Sequence, residues 1–407
     1  MKVLYISYDG MTDPLGQSQV IPYLKGLSQK GHEIILISCE KKDRFNKQNN
    51  EVRSILDSSA IEWHPVSYSS LPSILSKQFN LSAIHKKAQE ICKEQKPKIV
   101  HCRSYMAALV GLKLKRKFGL KFIFDMRGFW ADERIDGNIW SIRNPIHKQL
   151  YAFFKKKEKE FLLNADHTIA LTQNAKNEIL SWEPFSHKSI PIEVIPCCAD
   201  LGFFSPEKLN SSKTASLRNE LGLNKNELII SYLGSIGTWY MLDEMLDFFK
   251  CLLEKDPNAR FLFITQDNKA EIFRKAEQKN IPEENLRVVS AFRTDVPSYV
   301  SLSRLSLYFI KPFYSKKASS PTKTGEILAM GIPVITNSGI GDSDSMILDS
   351  KAGLLVNDFT TEEYRSIIGQ IDVLLKTDKT VFIKASQKYF SLETGIDLYN
   401  SVYKQLQ

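Results

Sequence analysis

The chain has 407 residues and a mass of 46.5 kDa, which at roughly 150 residues per domain means two or three domains and excludes peptide hormones, disulfide knots and small zinc modules. Apolar residues make up 43% and charged residues 25%, the balance of a globular protein rather than a disordered or collagen-like one. The basic excess of nine lies wholly in residues 1–200, which hold 30 basic and 21 acidic residues against 25 of each afterwards, so a positive face there suits anionic lipid, nucleic acid or a phosphorylated substrate, and charge alone does not choose.

In chain order, KVLYIS (2–7), EIILIS (33–38), KIVHC (98–102), KFIFD (121–125), HTIAL (167–171) and IEVIP (192–196) alternate with amphipathic stretches. That is the pattern of buried strands in a mostly parallel sheet with helices on both faces. The series restarts with LIISYLG (228–234), ARFLFIT (259–265), LRVVS (286–290), LSLYFI (305–310), GIPVIT (331–336) and AGLLV (352–356), with helices at 242–253 and 270–280 between them. The expected architecture is α/β, two doubly wound domains joined within 196–210. Residues 362–375 and 380–390 read as helices, and 391–406 as a last one with Leu392, Ile396, Tyr399 and Tyr403 on one face, a stripe that must dock. The six cysteines show no C-x-x-C and no zinc-like His spacing, and Cys197 and Cys198 are adjacent, which fits a reducing cytoplasm. Asp9 interrupts the first apolar run, and no stretch of 18 apolar residues occurs, so neither a signal peptide nor a membrane span is expected.

In open α/β sheets ligands bind beyond the carboxyl ends of the strands. After the first strand, Gly16, Gln17 and Ser18 open a helix, as an anion cradle or as a simple tight turn; no G-x-G-x-x-G is present, which disfavours a nicotinamide site. His101 and Arg103 end one strand, and Asp125 and Arg127 another, forming either a polar pocket or local ion pairs. In the second half, Gly234, Ser235, Gly237 and Thr238 occupy a strand-to-helix turn where a diphosphate can approach the backbone. In SSPTKTGEILAMGIPVIT (319–336), Lys323 and Glu326 lie three apart on a first helical turn. Lys323 suits a phosphate and Glu326 the two hydroxyls of a ribose, the needs of a nucleoside diphosphate; an ordinary surface ion pair is the alternative.

The order of an N-terminal Gly-loop, KGHEI (30–34), VIPCCADLGFFSP (194–206), YLGSIG (232–237), P-x-K-x-x-E-x-L-A-x-G-x-P-V-I (321–335) and GLLV (353–356) resembles glycosyltransferase family 4, retaining enzymes of GT-B fold. The resemblance spans nearly the whole chain. It implies two Rossmann-like domains facing across a cleft: an acceptor-binding domain over 1–200, a nucleotide-sugar domain over 201–385, and a segment over 386–407 whose helix returns to the first. By position, Glu326 matches the second Glu of the family motif and Gly234 its phosphate-loop glycine. The first motif Glu falls at Ala318, and the loop Arg and Lys fall at Ser235 and Met241. Lys323 and Arg293 are the candidates to supply the missing positive charge, and Ser320, Thr324 and the loop residues further donor contacts.

The activity implied is sugar transfer from a UDP- or GDP-linked donor to a saccharide or lipid-linked saccharide, with retention, in cell-surface polysaccharide synthesis. Gln17, His101, Arg103, Asp125 and Arg127 are the expected acceptor-side residues, Gly16 joins the donor side, and Lys323, Glu326, Asp125 and Arg127 are the expected catalytic set. No cofactor and no metal are expected, since Asp342 and Asp344, though spaced D-x-D, follow the wrong strand. The Lys-rich stretches 113–121 and 151–159 suit an anionic inner leaflet or are merely solvated faces. Nucleic acid is not expected, because no stacking-aromatic motif accompanies the basic residues. A non-catalytic GT-B partner protein, or another GT-B enzyme such as an epimerase or phosphorylase, is the alternative.

Overall fold

The computed structural model describes residues 1–69, 74–183, 185 and 187–407. The chain divides into two compact units, one of residues Met1–Cys197, Lys317–Ser319 and Leu392–Gln407, the other of Cys198–Lys316 and Ser320–Ser391. Among the described residues the first unit has seven parallel strands, β1 (Lys2–Ser7), β2 (Glu33–Glu40), β3 (Ile61–Ser67), β4 (Ile99–Arg103), β5 (Lys121–Asp125), β6 (His167–Ala170) and β7 (Ile192–Val194), in the order β3-β2-β1-β4-β5-β6-β7. The second has six, β8 (Ile229–Leu233), β9 (Arg260–Ile264), β10 (Leu286–Val289), β11 (Leu305–Leu307), β12 (Val334–Asn337) and β13 (Gly353–Val356), ordered β10-β9-β8-β11-β12-β13, also parallel.

In each sheet the winding reverses once, between β1 and β4 and between β8 and β11. Loops on either side of such a reversal diverge and leave a crevice, which is where ligands bind in open α/β sheets. Helices pack on both faces, so central strands such as β1 and β8 are buried almost throughout, which is why they read as continuous apolar runs rather than as alternation.

One strand escapes the sequence pattern. β3, IEWHPVS, mixes Glu62, His64 and Pro65 into its run, and it lies at the edge of its sheet, where polar residues and a proline that donates no hydrogen bond are tolerated.

The last helix, Leu392–Gln405, completes the first unit rather than the second. A Cβ on Gly26 would overlap the Ile396 side chain, so the glycine permits close approach of the Ile21–Gln29 helix. Lys30 Nζ pairs with Asp397 at 2.7 Å and His32 Nε2 meets Asn400 Oδ1 at 2.9 Å. Tyr399 and Tyr403 turn inward, 4% and 0% exposed, over the carboxyl ends of β4 and β5. All six cysteines are buried, and none forms a disulfide.

Candidate active site

Among the described residues eight other than glycine have positive φ, and five of them, Ala60, Lys96, Asn138, Asn280 and Lys351, follow helix ends, where a left-handed residue is ordinary. The other three, Ser104 (φ +68°), Arg127 (φ +57°) and Thr238 (φ +47°), follow the carboxyl ends of β4, β5 and β8. Such backbone strain persists only where surroundings hold it, and it concentrates at functional sites.

In the second unit β8 leads into an open loop, residues 234–241, before the Leu242–Lys255 helix. Gly234 has φ +125°, and a Cβ there would lie 2.8 Å from Lys323 Nζ. The glycine therefore does two things: it turns the chain and leaves room for an ammonium. Asp267 Oδ2 accepts the Ile236 amide at 2.6 Å and ties down the loop, while Ser235, Gly237 and Thr238 are exposed.

Lys323, on the first turn of the Thr322–Ala329 helix, is 8% exposed. Its Nζ lies 3.7 Å from the ring centre of Tyr240, 4.6 Å from that of Tyr232 and 5.5 Å from that of Tyr308, and no hydrogen-bond acceptor reaches it. Burial pulls its pKa down to about 7, with Glu326 as the opposing carboxylate. A buried cation held by aromatic faces alone is short of an anion.

Glu326, one turn on, accepts from Arg293 Nη1 at 3.3 Å. Burial pushes its carboxyl up, and Arg293 and then Lys323 pull it back. The Arg293 guanidinium in turn stands over Phe203 and Phe204, 5.4 and 5.6 Å from their ring centres. Thus Gly234, Arg293, Lys323 and Glu326 come together around the β8/β11 reversal, with Ser320 half-buried just before the helix. Thr324 does not join them. Its hydroxyl is buried against Tyr308 Oη at 2.6 Å and its amide bonds Pro321 O at 3.0 Å, so both polar groups are spent in the core.

In the first unit Gly16, Gln17 and Ser18 fall in the first turns of a helix. The first helix begins at Pro14, so Gly16 lies inside it, packed so closely on Gly10 and Met11 that a Cβ would overlap the Gly10 carbonyl. Gln17 bonds Gln48 and Ser18 bonds Pro14 O. The loop before this helix is instead gripped by Glu40, whose carboxylate accepts from the Met11 and Thr12 amides and the Thr12 and Ser38 hydroxyls.

His101 and Asp125, expected to face an acceptor, are each 1% exposed beneath the last helix. His101 Nδ1 meets Tyr403 Oη at 2.7 Å, and Tyr399 Oη donates to Asp125 Oδ2 at 2.9 Å. Burial pushes the Asp125 carboxyl up, but Arg127, His101 and Arg103 outweigh it and hold it below the usual carboxylate range. Arg127 is buried too and donates to Cys197 Sγ at 3.0 Å. These three form a buried network that anchors the helix.

Arg103 is buried as well, 4% exposed. Its Nη1 pairs with Asp9 Oδ2 at 3.0 Å, joining the ends of β4 and β1, beside a cavity of about 280 Å³ lined by Asp9, Tyr8, Tyr68, Ser104, Trp130, Arg134 and Trp140. Arg134 lies over Trp130, 4.7 Å from its ring centre. Aromatic side chains beside a carboxylate and a guanidinium suit a ring with apolar C–H faces and hydroxyl edges. The aromatic members went unnoticed in sequence, although FDMRGFWADE places Trp130 five residues after Asp125.

The Glycosyltransferase Family 4 model matches residues 18–203 and the Glycosyl transferases group 1 model residues 213–384. The chain belongs to the family 4-like glycosyltransferases. It is 20% identical over 279 residues to the D-inositol 3-phosphate glycosyltransferase of Segniliparus rotundus, a match that covers 67% of this chain and 58% of that protein's length. Among solved structures, a glycosyltransferase from Rickettsia africae ESF-5 superposes with TM-score 0.72 at 16% identity, covering 100% of this chain and 98% of the other. Sucrose-phosphate synthase from Thermosynechococcus elongatus gives 0.72 at 15%, covering 100% and 99%. HepE of Anabaena, in complex with UDP-glucose, gives 0.70 at 14%, covering 99% and 100%. The chain has the GT-B fold.

In this family 4-like chain the position of the first motif Glu, Ala318, is 2% exposed and packs in the apolar cluster of the first unit. Asp344 is spent on the Gly339 amide at 3.1 Å, and among the described residues no cluster of three or more His, Cys, Asp or Glu could hold a metal. No helix among them is long and apolar enough to cross a membrane.

Proposed function

We propose that this glycosyltransferase transfers a sugar from a nucleotide-diphosphate sugar to a saccharide or lipid-linked saccharide, with retention at the anomeric carbon, in cell-surface polysaccharide synthesis. The observation that carries the reading is the Lys323 ammonium, buried against Gly234 and three tyrosines with no hydrogen-bond acceptor on its Nζ. The donor diphosphate supplies that acceptor, with the loop of Ser235, Gly237 and Thr238 against its other oxygens, and Glu326, steadied by Arg293, takes the ribose hydroxyls. That structures of similar fold carry UDP, UDP-glucose or UDP-2-fluoro glucose supports such a donor.

The anomeric carbon–oxygen bond to the diphosphate breaks, the acceptor oxygen bonds to the same face, and the acceptor proton passes to the departing phosphate oxygen, so no protein base is needed. Lys323 stabilises the charge that develops on the leaving group. Neither a cofactor nor a metal takes part. The acceptor ring rests in the Asp9, Trp130 and Trp140 cavity rather than on His101 or Asp125, and Arg103 positions Asp9. The basic first unit meets an anionic membrane as a peripheral protein of the cytoplasmic face.

Calorimetric titration with UDP, GDP, ADP and their sugars tests the donor site. One nucleotide is expected to bind, and Lys323→Ala and Glu326→Ala to abolish its binding. Ala318, Ser235 and Met241, which stand where the family carries Glu, Arg and Lys, favour a second reading, a non-catalytic partner protein. Failure of every nucleotide to bind the folded chain decides for it.

A further inference from the structure

The strand-end sites leave one cavity of the first unit unused. It opens on the helical face, between Ile74–Gln95, Ser104–Phe118 and Pro145–Asn164, and measures about 420 Å³, within the usual range for ligand sites. Its floor is apolar, built on Leu81, Leu112 and Phe161. Its mouth is basic. Lys113 is exposed with no ion-pair partner among the described residues, while Arg116 and Lys157 share Glu160 at 2.7 Å each. Three cations against one carboxylate leave the mouth positive. His85, on the wall, has an Nδ1 that is buried and makes no hydrogen bond; burial and the nearby Lys113 and Lys117 both disfavour its charged form.

Around the opening the surface is unusual for a solvated face. Phe79 and Phe153 are 72% and 44% exposed on the two outer helices. Much of the basic run of the sequence is, by contrast, internally paired: Lys115 and Lys121 hold Asp166, and Lys155 reaches Asp132 and the buried Glu158. Of the lysines of the run that make no ion pair among the described residues, Lys113 stands at the cavity mouth, where Arg116 and Lys157 add two charges that share the single Glu160.

An apolar pit with a cationic rim is complementary to a molecule that carries an anion on a hydrocarbon chain, and to neither part alone. A free phosphate leaves the floor empty, and a neutral lipid leaves the cations unpaired. We propose that this cavity takes the phosphate and the first part of one acyl chain of an anionic phospholipid, with Phe79 and Phe153 entering the leaflet beside it. The inference rests on the reading that the chain works at an anionic membrane, and it names the lipid and the place where it is gripped.

The test uses the full chain with vesicles of phosphatidylcholine with and without phosphatidylglycerol, and separately with soluble dihexanoyl-phosphatidylglycerol and glycerol phosphate. Binding is expected only to the phosphatidylglycerol vesicles and to the short-chain lipid. Ser82→Trp, which fills the cavity from an exposed wall position without altering charge, and Lys113→Glu are each expected to weaken both by tenfold or more, with nucleotide-sugar affinity unchanged. Ser82→Trp binding vesicles as well as wild type would overturn the cavity in favour of plain surface attraction, and glycerol phosphate binding as tightly as the lipid would overturn it in favour of a phosphate site. No vesicle binding by a chain that still binds its nucleotide sugar would overturn both the cavity and the membrane reading, and leave sugar transfer standing.

Discussion

At pH 8 most molecules of the free protein carry Lys323 as the neutral amine, because burial holds its pKa at about 7. A donor diphosphate beside Nζ supplies the missing countercharge and restores the proton. Binding at pH 8 is then expected to take up about 0.9 proton per donor, about 0.5 at pH 7 and about 0.1 at pH 6, and affinity to fall about tenfold per pH unit above 7. A nucleotide sugar does not itself titrate in this window, so calorimetry of UDP-glucose or GDP-mannose in two buffers of different ionisation enthalpy reads the proton number directly. The same burial is a burden on the free protein. The gap between about 7 and the ordinary 10.5, at ~1.4 kcal/mol per pH unit, makes it at most about 5 kcal/mol. The unfolded lysine keeps its proton up to 10.5 while the folded one sheds it near 7, so the cost is full below pH 7 and fades as pH rises towards 10.5. Lys323→Met is therefore expected to lose nucleotide-sugar binding and proton uptake and yet be more stable than wild type to urea at pH 6. A proton uptake below about 0.2 at pH 8, together with a destabilised Lys323→Met, would refute the reasoning.

The other perturbations separate the two units. Gly234→Ala places a methyl group 2.8 Å from Lys323 Nζ at a φ of +125° and is expected to cost tenfold or more in donor affinity, while Gly237→Ala, in open space, stays within about twofold; fluorescence titration distinguishes them. Trp130→Ala is expected to raise the acceptor KM about tenfold with the donor KM unchanged, because Arg134 loses the ring that holds it at the cavity. Gly26→Val drives a side chain into Ile396 and is expected to cost about 2 kcal/mol in urea unfolding without changing donor affinity.

Central strands announce themselves because a parallel sheet buried on both faces needs unbroken Val, Ile, Leu and Phe, whereas β3 carries Glu62, His64 and Pro65 that only a sheet edge accommodates. Lys323 and Glu326 were legible as a pair because helical spacing is local. Their surroundings were not: Tyr232, Tyr240 and Tyr308 reach the lysine from separate segments, and no local rule links them. His101 and Asp125 looked like acceptor residues for the same reason, since the tyrosines that cover them are 302 and 274 positions away. At Gly16 the close approach to Gly10 and Met11 was not legible, because a glycine that lets two backbones touch has the same letter as one that cradles an anion.

The anchoring of Leu392–Gln405 on the first unit reverses the order in which the chain can be finished during synthesis. The sheet β3-β2-β1-β4-β5-β6-β7 is complete once about half the polypeptide has been made, but His101 and Asp125 stay uncovered until Tyr399 and Tyr403 leave the ribosome. The half that is translated first is therefore sealed last, and a ribosome stalled anywhere in the second unit leaves a nascent chain with an open polar wound in an otherwise formed sheet.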